Sequence, residues 1–304
     1  MRSILVTGGL GFLGISTVRM LQAKGYEVTI LDIIDSRHIP TDVSKYVKYI
    51  KCDLVTDSIE EMLGEIDCVI HLAGLTSVPE SFSTPRRYEQ VNVIGTINLL
   101  EACNEVGISR FILASTAAVY GFTRSEAIEE KHLLQPLSPY GISKLAAEKY
   151  TQVLCERYKI QSLILRFFNI YGPNQPLSQS GIITAFMKQI RDGKNITIFG
   201  SGNRTRSFIH VRDAARALVY SCEVKKISQQ IINICGEKPI RVKELAQTIL
   251  EISDTNDIEI EFTEASFELI PRSHCSGKSA LNALGYKPEI SIRDGLKEMW
   301  ESYR

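Results

Sequence analysis

The stretch Ser3-Ile-Leu-Val-Thr-Gly-Gly-Leu-Gly-Phe-Leu-Gly14 decides the fold of this chain. Its first part, Ile4 to Thr7, is typical of a buried parallel strand, and Gly8, Gly11 and Gly14 follow at regular spacing. These glycines let the backbone turn tightly and approach a pyrophosphate without a Cβ in the way. The apolar helix that follows would offer unpaired N–H groups and a positive dipole end to phosphates.

A second apolar run, Glu27 to Leu31, predicts another strand, and Asp32 stands at its end. A carboxylate there can hold an adenosine ribose and would repel a 2′-phosphate, so the position favours NAD. A glycine-rich turn can also serve only to pass the chain from a strand to a helix. The order of strand, glycines, helix, strand and acid nevertheless predicts a dinucleotide site.

The composition is that of a globular protein without a strong charge. The chain has 304 residues, of which 44% are apolar, and its 35 basic residues balance 35 acidic ones. This gives no attraction to nucleic acid or to a membrane surface, and no apolar run approaches the roughly 20 residues of a membrane span. The chain reaches its first strand after two residues, so we expect no signal peptide and a cytoplasmic protein.

The cysteines are scattered along the chain, and no two of them form a Cys-x-x-Cys pair. We therefore expect seven buried free thiols in a reducing compartment. His274 and Cys275 are the only neighbouring histidine and cysteine, and nothing nearby completes a ligand set, so no metal site is expected. The seven positions are Cys52, Cys68, Cys103, Cys155, Cys222, Cys235 and Cys275.

Strand and helix signals alternate up to about residue 170, which predicts an α/β protein with a Rossmann-type doubly wound parallel sheet. The strands are predicted at 3–7, 27–31, 47–52, 67–73, 110–115 and 161–168, and the longest helices at 86–106 and 140–158. The pattern then loosens, which predicts a smaller mixed α/β C-terminal lobe that binds substrate. We assign 1–172, with a return at about 204–236, to the dinucleotide-binding domain, and 173–203 with 237–304 to the lobe.

Tyr140 and Lys144 are four residues apart on a predicted helix, so they share one face of it. Free tyrosine is a poor base at neutral pH, but an ammonium and a nicotinamide cation beside it lower the pKa of its phenol. The pair could then take a proton from a sugar hydroxyl while hydride leaves the same carbon. Alone, the spacing is more typical of an amphipathic surface helix. Ser115 and Thr116, at the end of the preceding strand, favour the catalytic interpretation because a hydroxyl there can bond the substrate oxygen.

These residues resemble the extended short-chain dehydrogenase/reductase superfamily, in its NAD-dependent nucleotide-sugar epimerase/dehydratase family. The similarity covers nearly the whole chain and is most like UDP-hexose 4-epimerases. The matching stretches are Gly8–Gly14, His71–Gly74, Ser77–Ser81, Asn92–Ala102, Ser115–Gly121, Ser138–Lys144, Arg166–Pro173 and Arg206–Asp213. His71 itself is a lone histidine on an apolar strand, and we interpret it as a satisfied core residue.

The resemblance implies a role for each matching position. The catalytic residues would be Thr116, Tyr140 as base and Lys144 as its helper. The NAD-binding residues would be Gly8, Gly11, Phe12, Leu13, Gly14, Asp32, Asp53, Leu54, Leu72, Ala73, Gly74, Asn92, Tyr140, Lys144 and Phe168. The substrate-binding residues would be Ser77, Thr116, Asn169, Phe199, Arg206, Phe208 and Arg272, with the arginines on the diphosphate.

Two alanines guide the choice of reaction within the family. Dehydratases of the family carry an aspartate and a glutamate after the triad threonine, and decarboxylases also need an acid, whereas this chain has Ala117 and Ala118. The resemblance thus implies an NAD-dependent epimerase that inverts C4 of a UDP-hexose through a transient 4-keto sugar. A 4-keto reductase or dehydrogenase, and less readily a dehydratase, stay open as alternatives.

Some features leave further choices open. Arg272 lacks the usual Pro-Gly-Asp after it, and Ser207 replaces a usual aspartate, so the sugar and the nucleotide base are not determined. A non-catalytic dinucleotide sensor or scaffold is a rival hypothesis, against which the intact triad argues. Family members pair two helices across a two-fold axis, which implies a homodimer. The candidate apolar stripes are Val91, Ile94, Leu99 and Ala102, and Leu145, Ala146, Tyr150 and Val153.

Overall fold

A computed structural model describes residues 3–123, 127–176, 181–224, 230–255, 257–264 and 272–304. The strands are β1 (Ser3–Thr7), β2 (Glu27–Asp32), β3 (Val47–Lys51), β4 (Cys68–His71), β5 (Arg110–Thr116), β6 (Gln161–Phe167), β7 (Asn169–Tyr171), β8 (Ile196–Phe199), β9 (Thr205–Arg206), β10 (Phe208–His210), β11 (Gln230–Ile234), β12 (Ile240–Arg241), β13 (Ile260–Thr263) and β14 (Arg272–Ser273). The helices are α1 (Phe12–Ala23), α2 (Thr41–Ser44), α3 (Val78–Ser83), α4 (Pro85–Glu89), α5 (Gly95–Glu105), α6 (Pro139–Tyr158), α7 (Ile182–Arg191), α8 (Val211–Glu223), α9 (Val242–Ser253), α10 (Lys278–Leu284) and α11 (Ile292–Glu301).

Seven parallel strands form the main sheet in the order β11-β6-β5-β4-β1-β2-β3. This is the doubly wound Rossmann order, in which the chain winds outward in both directions from the neighbouring strands β1 and β4, and ligands bind beyond the carboxyl ends of the strands. The predicted fold class is therefore confirmed, and the six predicted strands match β1 to β6 within about three residues at their ends.

Both faces of this sheet are covered by helices, which is why its strands read as continuous apolar runs. On one face, Val18 and Leu21 of α1 and Leu218 of α8 pack against the sheet. On the other face, Leu99 of α5 and Ala147 of α6 do so. The sheet is thus the middle of three layers, and α6 holds its position against the end of β5.

A smaller apolar core lies in the second half of the chain. It is formed by α7, α9 and α11 around β8, with the buried side chains of Met187, Leu245 and Met299 at its centre. β8 pairs with β13, β9 pairs with β12 and β14, and β7 pairs with β10. Between these elements the chain returns to the main sheet through α8 and the edge strand β11.

The segment predicted as one helix over 86–106 is helical but not uniform. α4 runs into a π-helical turn, Gln90–Ile94, and the α-helix resumes as α5 at Gly95. The predicted outward stripe on it is partly wrong, because Leu99 and Ala102 are fully buried against the sheet, whereas Ile94 is 41% exposed. The extra residue of a π turn shifts the helical register, so a uniform helical period misplaces the side chains beyond it.

The expectation of seven free thiols is wrong for two cysteines. Cys235, directly after β11, and Cys275, shortly after β14, form a disulfide. The other five are buried free thiols, as expected. The bonded pair lies in a small apolar cluster with Val119, Tyr120 and Phe168, so it links the main sheet to the segment that follows β14.

Among the described residues, no helix is long and apolar enough to cross a membrane.

Candidate active site

The glycine turn after β1 is built by close backbone contacts. Gly8 adopts a left-handed conformation with φ of +65°, and its N–H donates to the Leu31 carbonyl at 2.8 Å. A Cβ on Gly8 would lie 2.6 Å from the backbone nitrogen of Ala73, and one on Gly14 would lie 2.3 Å from the Gly8 carbonyl oxygen. Only glycine at both positions lets α1 and the segment after β4 approach this turn so closely.

The same turn has the features that a dinucleotide requires. No side chain in the described part of the chain caps the first turn of α1, so the N–H groups of Phe12 and Leu13 are available to an anion. The Asp32 carboxylate is buried and accepts hydrogen bonds from the backbone N–H of Leu10 at 2.9 Å and of Ile34 at 3.0 Å. A fixed carboxylate beside an uncapped helix N-terminus fits the ribose and pyrophosphate of NAD.

Asp53 and Leu54 follow β3 at the same edge of the sheet. The Asp53 carboxylate accepts from the Val55 N–H at 2.9 Å, and Leu54 is buried against Gly95 at the start of α5. Both therefore lie beyond the carboxyl ends of β2 and β3, which is where the adenine would lie if Asp32 held its ribose.

His71, at the end of β4, has both ring nitrogens occupied. Nδ1 lies 2.7 Å from the Thr7 hydroxyl and Nε2 lies 2.9 Å from the Thr96 hydroxyl. Because Thr96 donates its own proton to the Asn92 carbonyl, the hydrogen-bond pattern assigns the ring proton to Nε2. Burial, and secondarily the charge of Lys144, lowers the pKa of His71 to about 3, so the ring is neutral. The interpretation of His71 as a satisfied core residue is confirmed.

Asn92 joins the segment after β4 to α6 from within the π-helical turn. Its Oδ1 accepts from the Leu75 N–H at 2.8 Å, and its Nδ2 donates to the Ser143 hydroxyl at 3.0 Å. Ser143 in turn donates to the Tyr140 carbonyl at 2.8 Å. A Cβ on Gly74 would lie 2.9 Å from Asn92 Oδ1, so this contact also explains the glycine. Leu72 and Ala73 line the same segment and are partly buried.

Thr116, Tyr140 and Lys144 meet where β5 ends and α6 begins. Ser138 caps α6 by accepting from the Gly141 N–H, and Pro139 occupies the first turn, which fixes where the helix starts. Tyr140 and Lys144 lie on the buried face of the helix, with 9% and 8% of their surfaces exposed. The Thr116 hydroxyl accepts from the Ala118 N–H at 3.1 Å, and it lies near enough to the Tyr140 phenol to lower its pKa.

Burial dominates the electrostatics of this trio. It raises the pKa of the Tyr140 phenol, and the nearby Thr116 hydroxyl offsets this increase only in part. It lowers the pKa of the Lys144 ammonium to about 8, against the opposing charge of Glu148. Activation of Tyr140 as a base therefore needs further positive charge nearby, such as that of an oxidised nicotinamide.

Arg206 on β9 is a partly buried guanidinium that has no carboxylate partner among the described residues. In the described ranges its hydrogen bond is to the Thr205 carbonyl at 2.8 Å, and no acidic group lies within ion-pair distance. Burial, together with the neighbouring charge of Arg204, lowers the pKa of Arg206 to about 10. Arg204 and Arg206, which have no acidic partner in the part of the chain that the structure describes, are suited to an anionic ligand such as a diphosphate.

The other predicted substrate residues lie in different surroundings. Asn169 donates through Nδ2 to the Ser207 carbonyl at 2.8 Å, which joins the start of β7 to the strands that carry Arg206. Phe199 is 43% exposed at the end of β8, whereas Phe208 is 9% exposed and packs edge-on against Tyr171 in the core of the second half. Phe168, which was predicted to contact NAD rather than substrate, is buried in the cluster around the disulfide.

Two further substrate predictions concern segments at the edge of this region. Ser77 caps α3, and its carbonyl accepts from the Tyr88 hydroxyl at 2.7 Å. Arg272 begins β14, which pairs in parallel with β9, so its backbone lies beside Thr205. The side chain of Arg272 lies outside the described part of the structure.

Three residues of the site were not identified from the sequence. Tyr88 packs edge-on against Tyr140, with ring centroids 6.3 Å apart, and Ser143 anchors Asn92. Glu148 follows Lys144 by one helical turn and is fully buried. Its spacing of four and eight residues from Lys144 and Tyr140 could have placed Glu148 on the same helical face, but its partners come from distant strands.

Comparisons with known proteins agree with this geometry. The sequence profile of the NAD dependent epimerase/dehydratase family matches residues 4–235. The chain belongs to this family. It is 33% identical to a relative from Methanocaldococcus jannaschii, provisionally named a UDP-glucose 4-epimerase, over 97% of this chain and 96% of the relative. It is 30% identical to the dTDP-D-glucose 4,6-dehydratase of Mus musculus over 100% of this chain and 89% of that protein.

A solved structure of the family is also very similar. The UDP-glucuronic acid 4-epimerase from Bacillus cereus, in complex with UDP-glucuronic acid and NAD, superposes with a TM-score of 0.91 at 30% identity. The alignment covers 99% of this chain and 98% of that one. The likeness therefore extends over both the main sheet and the second half of the chain.

Proposed function

We propose that this protein is an NAD-dependent epimerase that inverts C4 of a UDP-hexose. The observation that carries the proposal is the trio where β5 ends and α6 begins, with Thr116 on the strand and the buried Tyr140 and Lys144 on the helix. The M. jannaschii and B. cereus relatives, which are named as 4-epimerases of UDP-sugars, support it. A non-catalytic sensor or scaffold would not need all three side chains in one place.

The trio can move one proton in each direction. Tyr140 accepts the proton of the C4 hydroxyl, Thr116 contacts the same oxygen, and the charge of Lys144 stabilises the phenolate. Bound NAD would supply a reversible hydride acceptor for C4, used once on each face of that carbon. Tyr140 then gives its proton back to the oxygen, so the C–H and O–H bonds are broken and re-formed without net oxidation.

Inversion requires the 4-keto sugar to turn over while the nucleotide stays in place. We assign this anchoring to Arg206 and Asn169, with Arg272 as a third contact. Bidentate guanidinium contacts would hold the diphosphate oxygens, and these arginines lie on paired strands. Fixing the diphosphate while freeing the sugar lets either face of C4 come within reach of the hydride acceptor.

Dehydration is the main alternative, because a 30% identical relative is a dTDP-D-glucose 4,6-dehydratase. Elimination of water from C5 and C6 needs an additional acid and base beside the sugar. Ala117 and Ala118 occupy the short turn directly after Thr116, and a methyl group can supply neither. A 4-keto reductase or dehydrogenase would use the same trio but would end with the cofactor in the opposite redox state.

The site also suggests how the chain is divided and assembled. We assign 1–172 and about 204–236 to NAD binding, and 173–203 with 237–304 to the nucleotide sugar.

We also propose a homodimer through α6, where Ile142, Tyr150 and Val153 are 45–64% exposed. Sedimentation of Val153→Glu should show monomers. Phe262→Glu is the matched control, because Phe262 on β13 is 57% exposed, and this variant should remain dimeric. If Val153→Glu also remained dimeric, that result would contradict this interface.

We further propose that the protein works in the cytoplasm, where nucleotide sugars and NAD are available. The five buried free thiols are in keeping with a reducing compartment, whereas the Cys235–Cys275 disulfide is unusual there. Fractionation of the native cells with an antibody to the protein tests this assignment.

Product analysis by NMR tests the proposed activity. The purified protein is given UDP-glucose, UDP-galactose, their N-acetylamino forms and UDP-glucuronate, each without added cofactor. Interconversion at C4 is expected for at least one pair, and Tyr140→Phe should abolish it while NAD still binds. Turnover by Tyr140→Phe at the wild-type rate would contradict the assignment of the base.

A further inference from the structure

Glu148 and Arg166 form a fully buried ion pair beside the proposed catalytic trio. Arg166 donates to Glu148 through Nε at 2.9 Å and Nη2 at 2.6 Å, a bidentate arrangement. The two side chains are 0% and 1% exposed. Burial alone would lower the pKa of Arg166, but the hydrogen bonds to Glu148 and its charge more than offset this and raise that pKa, so the guanidinium keeps its charge.

The pair connects the two elements that carry the trio. The Ser115 hydroxyl, one residue before Thr116 on β5, donates to Glu148 Oε1 at 2.5 Å. Ser115 and Arg166 are directly paired across β5 and β6. Glu148 itself lies on α6, one turn beyond Lys144 and two beyond Tyr140. Its carboxylate therefore holds the end of β5 and a neighbouring strand against the catalytic face of the helix.

Arg166 extends the connection to a third part of the site. Its Nη1 donates to the Tyr120 hydroxyl at 2.8 Å, and Tyr120 donates to Asn233 Oδ1 at 2.7 Å. Tyr120 ends the short turn that follows Thr116, and Asn233 lies on β11 near the disulfide. Hydrogen bonds thus hold the chain in place on both sides of Thr116, at Ser115 before it and at Tyr120 after it.

Stability alone does not explain such a pair. Well-packed apolar residues of similar volume often replace a buried ion pair without loss of stability, because desolvating two charges is costly. We propose that Glu148 is a positioning residue for Thr116, Tyr140 and Lys144, because its carboxylate sets the distance between β5 and α6. Its negative charge also lies one helical turn from Lys144. The proposal rests on the function assigned above to this trio.

The surroundings of Lys144 make Glu148 the carboxylate that acts on it. Burial favours the loss of charge from the Lys144 ammonium, and the negative charge of Glu148 on α6 opposes that loss. His71 on β4 is neutral. Tyr88 on α4, which packs edge-on against Tyr140, is a phenol whose pKa burial raises. Arg166 on β6 faces Glu148. Tyr140 on α6 is the group that Lys144 serves. Among these described neighbours, only Glu148 contributes negative charge near neutral pH.

Glu148→Gln tests the electrostatic part, because glutamine keeps the size and removes the charge. The rate at which bound NAD is reduced in a single turnover is measured against pH. In Glu148→Gln this rate should fall at a pH about one unit lower than in the wild type. Glu148→Asp, which keeps the charge, should restore the wild-type alkaline limb with a reduced kcat. Glu156→Gln, the same change at an exposed position of α6, should behave as the wild type.

Ser115→Ala tests the positioning part and leaves the ion pair intact. We expect kcat to fall about tenfold with KM for the nucleotide sugar and the pH profile unchanged, because only the alignment of Thr116 is altered. If Glu148→Gln does not fold, this variant and Glu148→Asp decide the matter. A wild-type kcat in Ser115→Ala, or a wild-type alkaline limb in a folded Glu148→Gln, would overturn the proposal.

A readout without turnover separates this proposal from the assigned function. The ionisation of Tyr140 in the NAD complex can be followed by ultraviolet absorbance, as wild type minus Tyr140→Phe. Glu148→Gln should raise the pKa of Tyr140, since Lys144 loses its charge at lower pH. If the wild type converts no nucleotide sugar yet this shift appears, the function fails and the role of Glu148 stands. An unchanged titration overturns the electrostatic role.

Discussion

The Lys144 ammonium carries its charge in a buried position, since only 8% of the residue's surface is exposed. Burial lowers the pKa of its ammonium to about 8, and the nearby carboxylate of Glu148 limits that decrease. Near neutral pH the ammonium is still protonated, so it can stabilise a phenolate on Tyr140. Above this pKa the charge is lost, and the same burial that raises the pKa of Tyr140 then keeps the phenol protonated.

Activity should therefore decline on the alkaline side as Lys144 deprotonates. We expect the rate of the first hydride transfer to fall above a pH of about 8, close to tenfold per pH unit. Single-turnover absorbance of the reduced nicotinamide measures this rate. Lys144→Arg, whose side chain stays charged, should be slower but should lose the alkaline limb. If Lys144→Arg lost rate at alkaline pH in the same way as the wild type, the ionisation would belong to another group.

At the scale of the element, the first turn of α1 depends on a glycine that packs without a side chain. A methyl group on Gly14 would meet the Gly8 carbonyl oxygen at 2.3 Å and the carbon of Gly9 at 2.7 Å, both of them backbone atoms that cannot move aside. Gly14→Ala should therefore displace the turn that would contact the pyrophosphate. We expect NAD affinity to fall tenfold or more, at roughly 1.4 kcal/mol per factor of ten.

Equilibrium titration of the cofactor-free protein with NAD measures this affinity. Gly25→Ala is the matched control, because Gly25 follows the same helix with φ of +80° and has no atom within 4 Å of its Cβ position. That change should cost about 1–2 kcal/mol of stability through backbone strain and leave NAD binding unaltered. Equal NAD affinities for the wild type and Gly14→Ala would contradict the assigned role of the turn.

Elements with a strong local signal could be predicted from the sequence. β1, β2 and α1 are apolar runs separated by glycines, and Ser138 and Pro139 mark the start of α6. The π-helical turn could not be predicted, because nothing in residues 90–94 distinguishes it from a regular helix until Asn92 meets Leu75 and Ser143. Tertiary contacts, rather than local propensity, determine the helical register there.

At the scale of the whole molecule, the disulfide is a link that spacing could not indicate. Cys235 and Cys275 are 40 residues apart in sequence, and only the fold brings β11 and the segment after β14 together. The Glu148–Arg166 pair is similar, since its partners come from α6, β5 and β6. Tyr140 and Lys144 could be paired from the sequence because they share one helix. The disulfide and the ion pair join elements that are distant in sequence, so only the folded structure reveals them.

Reduction should destabilise the protein measurably. The loop closed by the disulfide predicts a loss of about 4 kcal/mol in the free energy of unfolding. Urea unfolding with and without dithiothreitol measures it, and the double variant Cys235→Ser/Cys275→Ser should not respond to the reductant. In denaturant, five thiols should titrate before reduction and seven after it. Seven thiols before reduction would contradict the disulfide.

The central claim is that one hydride leaves C4 and returns to C4. The most direct measurement uses the UDP-hexose that the protein converts, with deuterium at C4, and locates the label in the product by NMR. An epimerase whose trio acts as proposed retains the deuterium at C4 of the inverted sugar. Deuterium at C6 would show dehydration instead, and deuterium in the released cofactor would show a dehydrogenase; either result would contradict the account.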